Sequence, residues 1–161
     1  MPDSAEVTLP KDTAIRVDRR FDAPRALVYR AFTRPEIVSR WLLGPPGWTM
    51  PVCEIDLRPG GSYHYRWRNE ADGRSFGARG IFEAIEPEKR LQTREHFEDM
   101  GPSGEAHIQT EFTDDGIGTR VTYLIDAGSR EARDAALKTG MTDGMEMSFK
   151  ALDRVLAQKA A

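Results

Sequence analysis

The stretch from Ser129 to Ala157 constrains this chain more than any other. Its apolar residues fall at Leu137, Met141, Met145, Phe149, Leu152 and Val155/Leu156. Steps of three and four wind them into one stripe on a helix of about 3.6 residues per turn. Ser129 is placed to cap the first turn, and Glu131 to complement the helix dipole. Unbroken, about 29 residues at ~1.5 Å each make a rod of roughly 43 Å, long enough to cross a small domain. Gly140 and Gly144 interrupt the pattern, each at a cost of about 1 kcal/mol against Ala in a helix interior. They allow either close backbone packing with a kink at Gly140, or room for something beneath the helix. Met141, Met145 and Met147 suit the second, because thioethers fill irregular, adaptable spaces.

Upstream, Ile15, Val17, Arg19 and Phe21 alternate with Arg16, Asp18 and Arg20, the pattern of a half-buried strand. Asp22 is placed to cap a helix with Pro24 in its first turn and Leu27, Val28, Ala31 and Phe32 on its apolar face. Thr33 and Glu36 make a capping box around Pro35, opening a second short helix that buries Ile37, Val38, Trp41 and Leu42. Gly44-Pro45-Pro46-Gly47 ends the helical region, and Trp48 to Ile55 reads as a short strand. Turns at Pro59-Gly60-Gly61, Asn69 to Gly73, Pro87 and Gly101-Pro102-Ser103-Gly104 then separate further strands. Tyr63, Tyr65 and Trp67 share one face of the first. Phe76, Ala78, Gly80, Phe82 and Ala84 share that of the second, and Leu91, Thr93, Glu95 and Phe97 that of the third. His107 to Thr113 and Thr119 to Asp126 pair across Asp114-Asp115-Gly116, a hairpin signal. Short loops between successive strands imply an antiparallel meander with the helices on one face. The expected class is α+β, one domain over residues 13–158, with residues 1–12 a flexible polar tail.

Composition narrows the function. A formal charge of −3 gives no bulk attraction to nucleic acid or to an anionic membrane. The only cysteine, Cys53, rules out an internal disulfide and fits a reducing compartment. No apolar run approaches the ~20 residues that span a bilayer. Met1 to Lys11 lacks the basic-then-apolar build of a secretory signal, so the cytoplasm is the expected location.

Several motifs resemble one family in order. Phe21-Asp22-Ala23-Pro24, Val28, Ala31-Phe32-Thr33, Pro35-Glu36, Arg40-Trp41 and Gly44-Pro45-Pro46-Gly47 resemble the opening of the heat-shock-chaperone ATPase-activator homologues. Asp56-Leu57-Arg58-Pro59-Gly60-Gly61 is similar to their central signature. Thr139-Gly140-Met141 through Gly144-Met145 and Leu152 is similar to their closing helix. The resemblance spans roughly Thr13 to Leu156 and implies a helix-grip, START-like (SRPBCC) fold. In that fold a curved antiparallel sheet, here of about six to seven strands, wraps a long C-terminal helix over a cavity, with two short helices after the first strand. Leu42-Leu43 departs from the family pattern, where many relatives carry a second tryptophan at the pocket mouth.

The expected inward face is rich in rings: Tyr63, Tyr65, Trp67, Phe76, Phe82, Phe97, Phe112 and Tyr123 from strands, with Met141, Met145 and Phe149 from the helix. Trp41 and Trp48 fall near one end. A solid core is one reading. Buried tyrosine hydroxyls need partners, however, and apolar walls with a few polar groups are the signature of a small-molecule pocket. Glu95 and Arg19 also point inward, and a pair between them would neutralise both. His64, His96 and His107 fall on the outer face, Cys53 reads as an inert buried thiol, and no cluster has metal-ligand spacing. No catalytic residue, metal or cofactor is therefore expected. Arg66, Arg68 and Arg79 form an exposed basic stripe with His64, but the rings lie on the opposite face, which argues against RNA.

Three functions follow as expectations. The first is non-enzymatic binding of a small hydrophobic or amphipathic molecule under the C-terminal helix, by a monomer or homodimer without nucleic-acid or membrane partners. The second, implied by the resemblance, is a chaperone-associated protein-binding module. The third is a cyclase- or aromatase-like enzyme acting on a polyketide-type substrate, with Glu95 as its acid–base group.

Overall fold

A computed structural model describes residues 4–99 and 104–160, with Lys159 and Ala160 described through their backbone alone. The elements run β1 (Glu6–Thr8), β2 (Ala14–Phe21), α1 (Arg25–Thr33), α2 (Pro35–Trp41), β3 (Trp48–Ile55) and β4 (Ser62–Asn69). After these come β5 (Ser75–Glu86), β6 (Arg90–Glu98), β7 (Ala106–Asp115), β8 (Gly118–Asp126), α3 (Arg130–Lys138) and α4 (Met141–Ala160). The strands form one 8-stranded sheet in the order β1-β2-β8-β7-β6-β5-β4-β3, antiparallel throughout. Between β2 and β3 the chain must cross the whole sheet, and α1 and α2 carry it there. The fold is the helix-grip α+β arrangement: a curved open sheet with its helices gathered on the concave face.

Alternation decides which side chains face inward. Ile15, Val17 and Phe21 of β2 lie opposite Ile125, Tyr123 and Thr119 of β8, and Phe112 of β7 lies opposite Val121. These residues pack with Val28 of α1, Trp41 of α2, and Phe149 and Leu152 of α4 in one buried core. Phe149 meets Phe21 edge-on at 5.6 Å and stacks on Tyr123 at 6.0 Å. Arg19 anchors the helix from the same face: its guanidinium donates to both carboxylate oxygens of Asp153 at 2.9 and 2.7 Å. It also lies over the Phe21 ring. Arg19 is only 1% exposed, so this pair fixes the height and rotation of α4 over β2.

Several local expectations are corrected. The terminal rod is two helices, because Gly140 takes φ +81 between α3 and α4, a left-handed conformation that no L-residue holds cheaply inside a helix. Ser129 does cap the first of them, accepting from the Ala132 N–H at 3.1 Å. Asp22 caps nothing: Pro24 is the N-cap of α1 without a side-chain bond, and Asp22 instead accepts from Arg20. The capping box at Thr33 is likewise absent. Arg34 is the N-cap of α2, and the Thr33 hydroxyl donates back to the Tyr29 carbonyl within α1. In β5 the register shifts between Phe82 and Ala84, so Ala84 leaves the inner face and Ile85 joins the core in its place. Within the expected tail, Glu6–Thr8 pair with β2 as an edge strand, too short to show periodicity. The turn expected at Gly101-Pro102-Ser103 lies outside the described residues.

Candidate functional site

The inner face divides into two aromatic groups. One is the packed core, where Trp41, Phe112 and Phe149 are each 1% exposed. Trp41 is fully committed there, its indole N–H donating to the Ala31 carbonyl at 2.8 Å. The other runs along β4, β5 and β6: Tyr63 against Tyr65 and Phe82, Tyr65 against Trp67, and Trp67 stacked on Phe76 at 5.0 Å. Trp48 of β3 and Phe97 of β6 continue it from Phe76. Tyr63 and Phe82 are buried at its floor. Tyr65, Trp67, Phe76, Tyr123, Met141 and Met145 are part-exposed, and Phe97 is 42% exposed. These rings face inward yet meet solvent, an accessible apolar stretch of the concave face.

The local chain explains the opening. The β6–β7 ladder stops where Glu95 faces Ala106, so β6 carries Phe97 beyond its neighbour. Gly144, on the part-exposed stretch of α4 between Met141 and Met145, would meet nothing within 4 Å if it bore a Cβ. Trp67 holds the other rim, donating from its indole to the Leu42 carbonyl at 2.7 Å, while the Gly44 N–H donates to Ser148 Oγ on α4 at 2.9 Å. Two cavities of the structure lie away from the β4–β6 rings, where the void beneath the helix was expected. One of about 50 Å³ sits among Leu27, Ile37 and Val155, and one of about 250 Å³ involves Glu83, Gln92, His107 and Gln109 of the outer face.

Polar groups converge on the cleft floor. Tyr63, Gly80 and Glu95 stand side by side on β4, β5 and β6. A Cβ on Gly80 would lie 2.1 Å from the Tyr63 ring, so only glycine lets that ring lie flat across β5. Its hydroxyl then donates to Glu95 Oε2 at 2.6 Å. Glu95 does not pair with Arg19, contrary to the sequence expectation, because Arg19 is turned to Asp153. Burial pushes the Glu95 carboxyl above its ordinary range, partly offset by the bond from Tyr63. Burial also raises the phenols of Tyr63, Tyr65 and Tyr123, and the negative charge of Glu95 adds to each. Neither Tyr65 nor Tyr123 has a hydroxyl partner among the described residues. Sequence reasoning named the three tyrosines and Glu95, but missed Gly80 as the residue that brings two of them together.

The outer face carries no free basic stripe. Glu98 accepts from Arg79 at 2.6 Å, from Arg66 at 3.2 Å, and lies 2.8 Å from His64. Arg79 first and His64 second hold its carboxyl down at about 2. Arg68 pairs with Glu70. Cys53, half-buried with its thiol directed to the Pro35 carbonyl, is pushed up to about 11 by burial, which leaves it protonated and unreactive. Among the described residues no group of His, Cys, Asp and Glu could hold a metal ion, and no helix is long and apolar enough to cross a membrane.

A helix-grip sheet with a ring-lined concave face defines a class of binding scaffold. Residues 22–157 match the family described as Activator of Hsp90 ATPase homolog 1-like protein, and the chain belongs to that family. A crystal structure of a Rhodobacter sphaeroides protein is similar at 28% identity, with a TM-score of 0.90, over 97% of this chain and 99% of that one. A Mycobacterium smegmatis protein is similar at 25% identity and TM-score 0.84, over 96% and 97% of the two chains. The AHSA1-like protein of Aeromonas hydrophila shares the fold at 18% identity and TM-score 0.69, over 87% and 93%. No curated protein matches the chain.

Proposed function

We propose that this protein is a binding module that holds a small hydrophobic or amphipathic molecule in the cleft between α4 and the β4–β6 part of the sheet. One observation carries this reading: the rings of Tyr65, Trp67, Phe76 and Phe97 face the helix side yet remain accessible, while the other half of the same face is tightly packed. Accessible apolar surface in a concavity costs free energy that a ligand recovers on binding. The unpartnered hydroxyls of Tyr65 and Tyr123 supply orientation at the floor. Nile red, a neutral dye that brightens in apolar surroundings, tests it. Binding is expected in the wild type and about tenfold weaker in Met145→Trp, where an indole takes the space above the floor. Equal binding by both would argue against the cleft.

The family description favours one further reading, docking on an Hsp90 chaperone. Co-purification with the chaperone and stimulation of its ATPase would support it, and absence of both would remove it.

A further inference from the structure

We propose that the cleft selects ligands bearing one protonated amine, seated against Glu95, with their apolar body lying along Trp67 and Phe76. This rests on the binding reading above and adds the chemical class of ligand. Glu95 stands in the concave face with the Tyr63 ring lying over Gly80 on one side and only Ala106, at the end of the β6–β7 ladder, opposite it on the other, so the Ala106 side holds no bulky cross-strand neighbour. Tyr63 occupies one oxygen. No second donor from the described residues reaches the other. No cation among the described residues compensates the charge either: burial and Tyr63 are what act on it. Arg19, the cation of the same face, is committed to Asp153, with Glu146 at 3.9 Å. Arg66, Arg79 and Arg94 stand on the opposite face, tied to carboxylates there.

A carboxylate half withdrawn from water with no cation beside it is costly, and structures normally supply a partner. Here the free positions around it are aromatic faces and hydroxyl oxygens. Ring faces attract cations, most strongly where water is excluded. An ammonium group carries three N–H donors, and the cleft floor offers three unfilled acceptors: the second Glu95 oxygen, Tyr65 Oη and Tyr123 Oη. The Tyr65 ring lies 5.1 Å from the Tyr63 ring whose hydroxyl holds Glu95, and the charge of Glu95 acts on the phenols of both Tyr65 and Tyr123. A neutral alcohol would satisfy at most part of this set, and a carboxylate ligand would be repelled.

Displacement of Nile red by three isosteres separates the cases: 2-naphthylmethylamine, 2-naphthylmethanol and 2-naphthoate, at pH 7. The amine is expected to compete at concentrations about tenfold lower than the alcohol, and the naphthoate least well. In Glu95→Gln that preference should fall to within about twofold. Equal competition by amine and alcohol in the wild type overturns the amine assignment and leaves the binding reading standing. Failure of Nile red and of every competitor to bind overturns both. Because the wild-type comparison decides between amine and alcohol by itself, the test survives if Glu95→Gln does not fold.

Discussion

Tyr63 lies across Gly80 and donates to Glu95 at 2.6 Å, so that three adjacent strands are joined on the concave face by one hydrogen bond. The outer face of β5 repeats the device with opposite polarity. Gly77 lies between Arg66 and Glu98, and a Cβ there would come within 2.9 Å of the Glu98 carboxylate. Each glycine removes a side chain so that its two neighbours can meet over the strand.

Gly80→Ala should cost about 1–3 kcal/mol in urea unfolding, because the added methyl drives the Tyr63 ring off its seat. In a Tyr63→Ala background the same change should cost far less, a coupling of at least about 1 kcal/mol. Additive losses would mean that the ring does not depend on Gly80.

Asp153→Ala should destabilise by about 2–3 kcal/mol, at the low end for a buried pair because Asp153 is 34% exposed while Arg19 is 1% exposed. The deletion strands a guanidinium in the core. Arg19→Met combined with Asp153→Leu should recover most of the loss, since neither charge then needs solvation. Urea midpoints of the single and double variants measure it.

The two helix glycines should respond with opposite sign. Gly140→Ala forces a methyl into φ +81 and should lower stability by about 1 kcal/mol. Gly144→Ala adds a methyl that meets nothing within 4 Å and should raise stability by up to about 1 kcal/mol. Thermal unfolding of the two variants, with equal effects as the contrary result, tests whether α3 and α4 are separate helices.

Glu95 and Glu98 should give opposite pH dependences. The folded-state value of Glu95 is raised from 4.5, so the folded protein binds the proton longer and stability falls as pH rises from 4.5 through the raised value. Glu95→Gln removes that slope and should melt higher than the wild type at pH 7, with the gap closing toward pH 4.5. Glu98 is lowered from 4.5 to about 2, so its contribution is complete above 4.5 and is lost as pH falls through about 2. Glu98→Gln should therefore melt lower than the wild type at pH 7 and approach it near pH 2. Calorimetry of both variants across that range reads the two signs directly.

Much of the candidate site was legible because side-chain direction in a strand has a period of two. Tyr63, Tyr65, Trp67, Phe76, Phe82, Phe97 and Tyr123 could be assigned to one face without knowing any partner strand, and the three histidines to the other. Two kinds of error had physical causes. Caps at Asp22 and Thr33 failed because each side chain found a competing partner, Arg20 for one and the Tyr29 carbonyl for the other. The bulge in β5 moved Ala84 off the inner face, and no local pattern announces where a strand will gain a residue.

Local periodicity and turn chemistry by themselves determined the order of elements from β2 to β8, the antiparallel meander and the set of rings that point inward, since each depends on residues a few positions apart. Only the tertiary structure decided which half of that set is packed and which half stays open. It also decided that Glu95 meets Tyr63 while Arg19 meets Asp153. Those outcomes depend on strand register and on where α4 comes to rest, which are properties of residues far apart in the chain.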